Sequence, residues 1–321
     1  MFNNEIDNGV KIKVIGVGGG GNNAVLHIIN KQVKNIENYL INTEMGILGK
    51  INYRNVLQIG KETTKGLGAG ANETVGEQAA RESKEDIENI LRDTDMLFIT
   101  AGMGGGTGTG AAPVVAEIAK EMGILTVGIV TKPFMFEGKL RKMRAEYGIQ
   151  KLQENVNALI VILNDNLLKV SNKNTPLKEA FSLANDVVKQ GIQSITDLIT
   201  TVGQINLDFA DIKTIFSYKG KGYMGIGSSE GEARVEEAIK QAIENPLTEN
   251  TIDGAKGVIF NVTGGENLSL SEIDSAIKVI NDKVDEEANI IFGTVIDENL
   301  KDEVKVTVIA TGIEENKKID N

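Results

Sequence analysis

Cysteine is absent from the sequence, and histidine occurs once, as His27. Without cysteine the chain can form no disulfide bond, thiolate nucleophile or zinc–thiolate site. A single histidine excludes a multi-histidine metal site, so we expect no metal held by protein ligands alone. No apolar run approaches the ~18 residues of a membrane span. The start, from Met1 to Asp7, is polar and acidic, unlike a secretory signal. These absences favour a cytoplasmic protein that does not insert into membranes.

The formal net charge is −11, and the sequence pI is ≈ 4.9. Such a charge argues against non-specific binding to nucleic acid or to anionic membrane surfaces. It is compatible with an anionic nucleotide, because backbone amides can hold phosphate without net positive charge. The chain has 321 residues, of which 41% are hydrophobic, so we expect two domains with packed apolar cores.

Short apolar runs alternate with helical patterns in the first half of the chain. Their length and their Ile and Val content are typical of buried parallel strands. One helix is predicted over Glu73–Arg92, and another over Pro113–Met122, where the proline suits a first helical turn. This alternation predicts an α/β domain with a Rossmann-like, mostly parallel sheet. The predicted strands are Val10–Val17, Tyr39–Asn42, Val56–Ile59, Met96–Ala101, Leu125–Val130 and Ala158–Leu163.

A long helix with an apolar stripe is predicted after this domain, and a smaller α+β module after the helix. The predicted division is residues 1–174 for the first domain, 175–203 for the central helix, 204–221 for a loop and short helix, 222–315 for the second domain and 316–321 for a frayed tail. In the second domain, strands are predicted at Tyr223–Gly227, Gly257–Thr263, Ile290–Val295 and Val304–Thr311, and helices at Glu230–Ile243 and Ser269–Val284.

The first glycine cluster, Gly18–Gly21, follows a predicted strand and completes a G-x-G-x-x-G pattern that begins at Gly16. Glycines let the backbone approach a pyrophosphate closely, and the next helix offers unpaired N–H groups at its positive end. By itself this pattern is a weak signal. Dinucleotide-binding dehydrogenases share it, and a tight strand-to-helix turn would also use glycine.

The second cluster, Gly102–Gly110, is the strongest signal in the chain. It presents consecutive amides and the hydroxyls of Thr107 and Thr109 to an anion. A third cluster, Gly66–Gly70, also follows a predicted strand. Because ligands of parallel sheets bind at the carboxyl ends of the strands, we expect the three clusters to converge on one edge. No G-x-x-x-x-G-K-[ST] sequence occurs, so the pattern differs from that of P-loop enzymes.

Taken together, these motifs resemble those of the tubulin/FtsZ family of GTPases, in their bacterial form. They occur in the family's order, and the similarity runs from about residue 10 through the second domain. The resemblance implies a GTPase domain, a long central helix and a smaller C-terminal domain. The motifs are Lys13-Val-Ile-Gly-Val-Gly-Gly-Gly-Gly-Asn22, Gly66-Leu-Gly-Ala-Gly-Ala-Asn72, Gly104-Gly-Gly-Thr-Gly-Thr-Gly110, Pro133-Phe-Met-Phe-Glu-Gly138 and Asn206-Leu-Asp-Phe-Ala-Asp211.

The resemblance implies GTP and GDP as ligands, with Mg²⁺ and a monovalent cation at the nucleotide. The implied contact residues come from the loops, from the ends of strands and from the central helix. They are Gly18, Gly19, Gly20, Gly21, Asn22, Asn23, Asn42, Thr43, Ala69, Gly70, Ala71, Gly102, Met103, Gly104, Gly105, Gly106, Thr107, Gly108, Thr109, Pro133, Glu137, Arg141, Asn164, Phe181 and Asn185.

Two pairs at helical spacing have a second interpretation. Glu137 and Arg141 are four residues apart, and the family's matching pair contacts the ribose and phosphate region, but a surface ion pair would have the same spacing. Phe181 could stack on a purine while Asn185 bonds its edge, but core packing beside a polar neighbour is also consistent. Asp186 is the alternative base contact.

Asn206, Asp208 and Asp211 are the catalytic residues that the resemblance implies, in the loop and short helix of 204–221. In the family they project into the nucleotide pocket of the next subunit and orient the attacking water. From spacing alone, two capping acids at a helix start are the favoured interpretation of Asp208 and Asp211. His27 is expected to be structural.

The sequence departs from the family pattern in two places. The Asn-Thr-Asp segment of the family is here Asn42-Thr43-Glu44, whose longer acid could alter a cation or phosphate contact. The linker and the C-terminal peptide that recruit membrane tethers in the family are not visible. Self-association head to tail, membrane tethers and assembly regulators are the partners that the resemblance implies, at the mid-cell division site of a bacterium.

Two other functions compete with that of a polymerising GTPase. A nicotinamide-dependent oxidoreductase would use the first glycine cluster, with Glu44 on the ribose, but the second domain shows no acid–base residues for hydride chemistry. A paralogue that assembles with GTP but does not hydrolyse it is disfavoured by the presence of Asp208 and Asp211.

Overall fold

The computed structural model describes residues 9–170, 175–200, 208–297 and 300–313. Its contacts divide the chain into two compact units, the first covering Gly9–Thr196 and the second beginning at Asp197. None of the described helices is both long enough and apolar enough to cross a bilayer.

The described part of the first unit contains a parallel sheet in the order β3-β2-β1-β4-β5-β6. All residues of β1 are buried, and five of its six residues are apolar or glycine. The exception is Lys13, whose ammonium donates to the carbonyls of Ile90 and Arg92. The order reverses at β1, so a crevice opens between β1 and β4 at their carboxyl ends. The Rossmann-like prediction is therefore confirmed. The strands are β1 Ile12–Val17, β2 Glu37–Asn42, β3 Val56–Gln58, β4 Met96–Gly102, β5 Leu125–Lys132 and β6 Ala158–Leu163.

Helices connect these strands and cover the sheet. Alanines and branched residues of the helices pack with the strands in one buried cluster that includes Ile15, Ile99 and Val115. A short 3₁₀ helix, Met135–Glu137, follows β5. The α-helices of this part of the chain are α1 Gly18–Asn30, α2 Met45–Leu48, α3 Lys61–Thr64, α4 Glu73–Glu82, α5 Lys84–Leu91, α6 Thr107–Glu121, α7 Lys139–Gln153, α8 Asn164–Val170 and α9 Leu177–Thr200.

The single helix predicted over Glu73–Arg92 was wrong, because the structure divides it into α4 and α5 at Ser83. Ser83 is buried, and its hydroxyl accepts a hydrogen bond of 3.0 Å from the Gly60 amide. A serine that bonds elsewhere in the fold competes with the regular helix, and periodicity does not reveal that competition.

The predicted start of a helix at Pro113 was also wrong. Helix α6 begins six residues earlier, at Thr107, and Pro113 lies inside it. The missing N–H of Pro113 leaves the Thr109 carbonyl without its usual helical donor. The glycines that precede the proline are therefore the first turn of the helix, and their amides form its N-terminus.

The second unit is a mixed sheet in the order β7-β10-β8-β9, with β10 antiparallel to β7 and β8. Helix α11 begins at Arg234 rather than at the predicted Glu230. Helix α12 begins one residue later than predicted because Ser269 is its N-cap, in a capping box with Glu272, and it ends at Asn281 rather than at Val284. The elements are α10 Phe209–Ser217, β7 Lys221–Ser229, α11 Arg234–Ile243, β8 Gly257–Gly264, α12 Leu270–Asn281, β9 Asn289–Ile296 and β10 Val304–Ile313.

The long central helix is present as α9, and the two units meet within it in the sequence. Residues 201–203, predicted to continue it, lie outside the described residues, as do 204–207 and 316–321. The proposed domain division therefore stays a prediction.

Candidate functional site

Two glycine loops lie side by side at the carboxyl ends of β1 and β4. A β-carbon added at Gly20 would lie 3.0 Å from the Gly102 Cα, and one added at Gly18 would lie 2.8 Å from the Gly108 nitrogen. Gly18 also has φ +72°, which only glycine adopts readily. The backbones of the two loops are therefore in direct contact. The sequence predicted that these loops converge on one edge of the sheet.

Helices α1 and α6 both begin in these loops. Neither has an acidic residue in its first turn or a side-chain hydrogen bond at its N-cap. Their free N–H groups and positive dipole ends are therefore not neutralised by the protein's own carboxylates. Paired helix N-termini of this kind are suited to an anion such as a phosphate chain.

Thr109 and Arg141 shape the second loop. The Thr109 hydroxyl accepts a 2.8 Å hydrogen bond from the Gly104 amide and is buried. Gly104 has φ +98°, and a β-carbon there would lie 2.6 Å from the Arg141 carbonyl oxygen. Thr109 therefore holds the turn of the loop, and its predicted contact with a nucleotide stays a prediction.

The third loop closes on the second, as predicted. A β-carbon at Gly106 would lie 2.8 Å from the Asn72 nitrogen and from the Ala69 Cβ. Asn72 is the N-cap of α4, since its side chain accepts from the Thr74 amide at 3.0 Å. Gly70 and Ala71 both have φ +56°, so the loop turns sharply at these residues.

A chain of polar side chains connects the loops behind the glycines. Asn22 donates to the Gly16 carbonyl at 2.8 Å and accepts from Asn42 at 2.9 Å. Farther along, the hydroxyls of Thr43 and Thr107 are 2.7 Å apart. The side chains of Asn22 and Asn42 are thus bonded within the protein, and their predicted contacts with a nucleotide stay predictions.

A cavity of about 340 Å³ opens at these strand ends, within the first unit. This volume lies in the range of small-molecule sites. Ten of the predicted binding residues line it, namely Gly20, Asn23, Gly102, Met103, Pro133, Glu137, Arg141, Asn164, Phe181 and Asn185.

The sequence interpretation missed five residues of the cavity lining: Ala24, Thr100, Ala101, Thr131 and Ala184. Three of them lie in β4 or β5 near the carboxyl end of the strand, where ligand contacts are expected in such sheets. Ala24 follows Gly20 by four residues and Ala184 follows Phe181 by three, so helical spacing could have identified both.

The other predicted residues of the second loop, and Gly19 of the first, are not part of the cavity lining. Gly105 and Gly19 have open space where a β-carbon would point, whereas Gly108 faces the Gly102 carbonyl oxygen at 2.9 Å. Open space at Gly105 and Gly19 is available to a ligand, and the tight fit at Gly108 serves the packing of the loops.

An aromatic group and an amide lie together on the cavity wall formed by α9. Phe181 is 40% exposed although it is aromatic, and its ring meets Phe134 edge to face at 5.3 Å between centroids. Phe134 in turn stacks on Phe136. Asn185 lines the same cavity, one turn after Phe181. A flat apolar face beside an amide can stack on a purine and bond its edge.

Polar groups complete the opposite wall. Arg141 forms an ion pair of 3.2 Å with Glu137, which confirms the contact that their spacing predicted. Asn164 is 5% exposed, and its Oδ1 atom has no hydrogen-bond partner among the described residues. Since buried acceptors are normally satisfied, this oxygen is suited to a ligand hydroxyl such as that of a ribose. Asp165 instead accepts from the Met135 amide at 2.8 Å and is structural.

Asp208 and Asp211 lie at the start of α10. Asp208 is the N-cap, and its carboxylate accepts from the Asp211 amide at 2.8 Å. The contacts of Asp208 show a capping role. This role is compatible with the predicted catalytic one, which stays a prediction. Asn206, the third predicted catalytic residue, lies outside the described residues.

The described residues contain no group of three or more His, Cys, Asp or Glu that could hold a metal ion.

Another cavity, of about 390 Å³, lies between α4, α6 and α7. Arg81 in its lining pairs with Glu77 at 3.0 Å and with Glu117 at 3.1 Å, so its charge is already engaged. Of the three glycine clusters, only Thr109 and Gly110 contribute to the lining, and α1 contributes nothing. Four acids line this cavity, Glu73, Glu77, Glu117 and Glu154, so it is poorly suited to a phosphate chain.

Comparison with known proteins agrees with the geometry. A model of the tubulin/FtsZ family GTPase domain matches residues 11–172, and a model of the FtsZ family C-terminal domain matches residues 220–314. An empty FtsZ dimer from M. jannaschii is 42% identical, with a TM-score of 0.88, over 95% of this chain and 89% of that one.

Two more distant structures share the fold. CetZ2 from Haloferax volcanii, in a GTPγS-bound protofilament, is 17% identical with a TM-score of 0.82, over 97% of this chain and 95% of that one. CetZ1 from the same organism, a GDP-bound monomer, is 21% identical with a TM-score of 0.82, over 95% of each chain. The family models and the 42% identity decide the assignment. The chain belongs to the tubulin/FtsZ family, and it is a GTPase that binds GTP and GDP.

Proposed function

We propose that this chain polymerises head to tail into filaments of the cytokinetic ring of a bacterium, and that its GTPase site is completed by the neighbouring subunit. The observation that carries the proposal is the cavity at the ends of β1 and β4, with two unneutralised helix N-termini beside it. Head-to-tail assembly and a site shared between subunits are proposed because the chain belongs to the tubulin/FtsZ family.

The phosphate chain of GTP would be held by amides of the glycine loops. Gly19 and Gly105 leave space for close approach, and α1 and α6 direct their N–H groups to the same place. Arg141 adds the positive charge that the cavity lining offers, although Glu137 shares it. Mg²⁺ and a monovalent cation would neutralise the remaining phosphate charge and polarise the phosphoryl oxygens.

The nucleoside would lie against α9. Phe181 is positioned to stack on the base, Asn185 to bond its edge, and the unpaired Asn164 oxygen to accept from a ribose hydroxyl. Since a stacking ring accepts any base, we expect selectivity for guanine to depend on the amide.

Hydrolysis would need carboxylates near the γ-phosphate to orient water, and the only carboxylate in the lining of the nucleotide cavity is that of Glu137, which is engaged by Arg141. Asp208, Asp211 and Asn206 follow α9 in the chain, whereas the glycine loops precede it. This order supports a shared site, in which one subunit binds GTP and the next contributes the acids. Positioning of water and stabilisation of charge then supply most of the catalysis.

Head-to-tail stacking uses a different surface on each partner and generates filaments when it does not close. The M. jannaschii relative is described as a dimer and CetZ2 as a protofilament. The bacterial setting, the cytoplasmic mid-cell location, and the membrane tethers and assembly regulators are proposed from the motifs in the sequence. The net charge of −11 is the reason to propose no nucleic-acid partner.

The test is GTP hydrolysis measured over a range of protein concentrations, together with polymer formation by sedimentation. A shared site makes the specific activity rise with concentration, and Asp211→Ala should bind GTP and assemble but hydrolyse far more slowly. Asp274→Ala is the matched control, because Asp274 is an exposed acid of the same unit that pairs with Lys278. Specific activity that stays constant down to monomer concentrations would contradict the shared site.

A mixing experiment separates the two halves of the site. Gly105→Asp places a negative charge in open space beside the proposed phosphates, so that subunit should lose GTP but keep its own Asp208 and Asp211. Mixed with Asp211→Ala, it should restore part of the activity. No gain above the sum of the two separate activities would refute complementation between subunits.

A further inference from the structure

The one histidine of the chain contacts the central helix beside the proposed base site. His27 Nε2 lies 2.7 Å from Asp186 Oδ1, and the two residues are 159 positions apart in sequence. Because an ionised carboxylate can only accept, the imidazole is the donor in this contact. The pair joins α1, which begins in the first glycine loop, to α9, which carries Phe181 and Asn185.

Both helices line the nucleotide cavity close to this contact. On α1, Asn23 and Ala24 line it, and His27 follows them by four and three residues, so all three share one face. On α9, Asn185 lines the cavity, and Asp186 is absent from the lining. The contact therefore lies at the edge of the wall that would hold the base.

The rotation of α9 decides which polar residue faces the cavity. Neighbouring residues of an α-helix point about 100° apart. With the carboxylate of Asp186 bonded to His27, the amide of Asn185 is directed into the cavity. Without that bond, rotation or displacement of α9 would move the amide away from the base edge.

We propose that His27 and Asp186 form a positioning pair that holds α9 against α1 and thereby sets the selectivity of the site for guanine. The inference rests on the proposed placement of the base against α9. It assigns the base contact to Asn185 and removes Asp186 as the alternative reader of guanine, because Asp186 is engaged by His27. It also gives the single histidine a role in binding.

The exposure of the two side chains allows an effect on base selectivity to be distinguished from an effect on the stability of the fold. The side chains of His27 and Asp186 are 17% and 39% exposed. Partly exposed polar pairs, even when both partners are charged, contribute little to the stability of a fold. Loss of the pair should consequently change base selectivity more than it changes the unfolding temperature.

The test measures affinity for GTP and ATP by displacement of a fluorescent GDP derivative from the full chain. Asp186→Ala and His27→Leu should each lower the preference for GTP over ATP by about tenfold, the effect of one misplaced polar contact. His27→Gln keeps an N–H donor at a similar distance and should retain most of the preference. The double variant His27→Leu/Asp186→Ala should lose no more than either single variant, since both remove the same interaction.

Lys84→Ala is the matched control, because Lys84 pairs with Glu121 at 2.8 Å between α5 and α6 of the same unit. It should leave both affinities unchanged. An equal loss of GTP and ATP affinity in Asp186→Ala, or unaltered preference in a folded variant, would overturn the positioning role. If the wild-type chain binds GTP selectively and the variants do too, only this inference fails. If the wild-type chain shows no preference for GTP, the proposed base site fails with it.

Discussion

Replacement of Gly105 by alanine separates the binding function of the second glycine loop from its structural function. A β-carbon added at Gly105 would meet nothing within 4 Å, and the φ of Gly105 lies outside the left-handed region. Alanine should therefore fit the folded loop without strain. Substitutions at Gly106 or Gly108 are less informative, since added atoms would lie within 3.0 Å of neighbouring atoms in the fold.

The expected effects on folding and on binding have opposite signs. Where alanine fits, loss of glycine stabilises a fold by about 0.4–1 kcal/mol, because the unfolded chain has fewer conformations. If phosphate approaches the amides here, the new methyl group occupies its place and should weaken GTP binding by at least about tenfold. At GTP equal to 100 times the wild-type Kd, ligand stabilisation is ~2.7 kcal/mol, and a tenfold weaker variant retains ~1.4 kcal/mol.

The assay is thermal unfolding with and without GTP. Gly105→Ala should unfold at a slightly higher temperature than wild type without GTP, and at a lower or similar temperature with it. Gly19→Ala should behave alike, since Gly19 also faces open space at the start of α1. Gly46→Ala is the control, because its β-carbon too meets nothing within 4 Å, but it lies in α2.

One result would refute the reasoning directly. If Gly105→Ala and Gly19→Ala keep the full wild-type shift with GTP, the open space at these glycines does not hold phosphate. Loss of stability without GTP would instead refute the claim that alanine fits the loop.

Three further outcomes are expected. Asn185→Leu should weaken GTP binding by ~1–3 kcal/mol in competition titrations and leave ATP binding nearly unchanged, because only the base edge loses its partner. Thr109→Val should destabilise the chain by ~1–3 kcal/mol in denaturant titrations, because the Gly104 amide loses its acceptor, and Thr109→Ser should not. Burial raises the pKa of Glu272, but hydrogen bonds from Arg234 and from its helix cap outweigh it and hold that pKa below its usual value. A carboxyl pKa that is lower in the folded than in the unfolded chain stabilises the fold at pH values above the unfolded pKa of ~4.3. Glu272→Gln should therefore lower the free energy of unfolding by ~1–3 kcal/mol at pH 7. The difference in stability from wild type should shrink as pH falls below ~4.

Much of the fold and the site could be predicted from local sequence. The strands of the first unit are rich in apolar residues because both faces of a parallel sheet are largely buried, and that pattern predicts them with end errors of a few residues. Glycine clusters directly after such strands predict a ligand edge, and β1 and β4 place Gly18–Gly21 and Gly102–Gly110 there. Helical spacing predicted the contact between Glu137 and Arg141.

Other features depend on partners far away in the sequence. Ser83 ends a helix because its hydroxyl bonds Gly60, 23 residues earlier. The buried Thr109 hydroxyl accepts a hydrogen bond from the Gly104 amide, a contact that the motif by itself does not indicate. For Ser83 and for Thr109, neither the residue type nor its spacing predicts which group will be its hydrogen-bond partner.

The sequence by itself thus determined the α/β class and the glycine loops at the sheet edge, because these depend on residue type and on local periodicity, and the order of its motifs indicated the family. Tertiary structure alone decided which of two adjacent polar residues lines the cavity. Asn185 and Asp186 are neighbours on one helix, and either could bond a guanine edge. Contact of Asp186 with His27 leaves Asn185 on the cavity wall, since one carboxylate oxygen bonded to the imidazole turns its side chain away from the site.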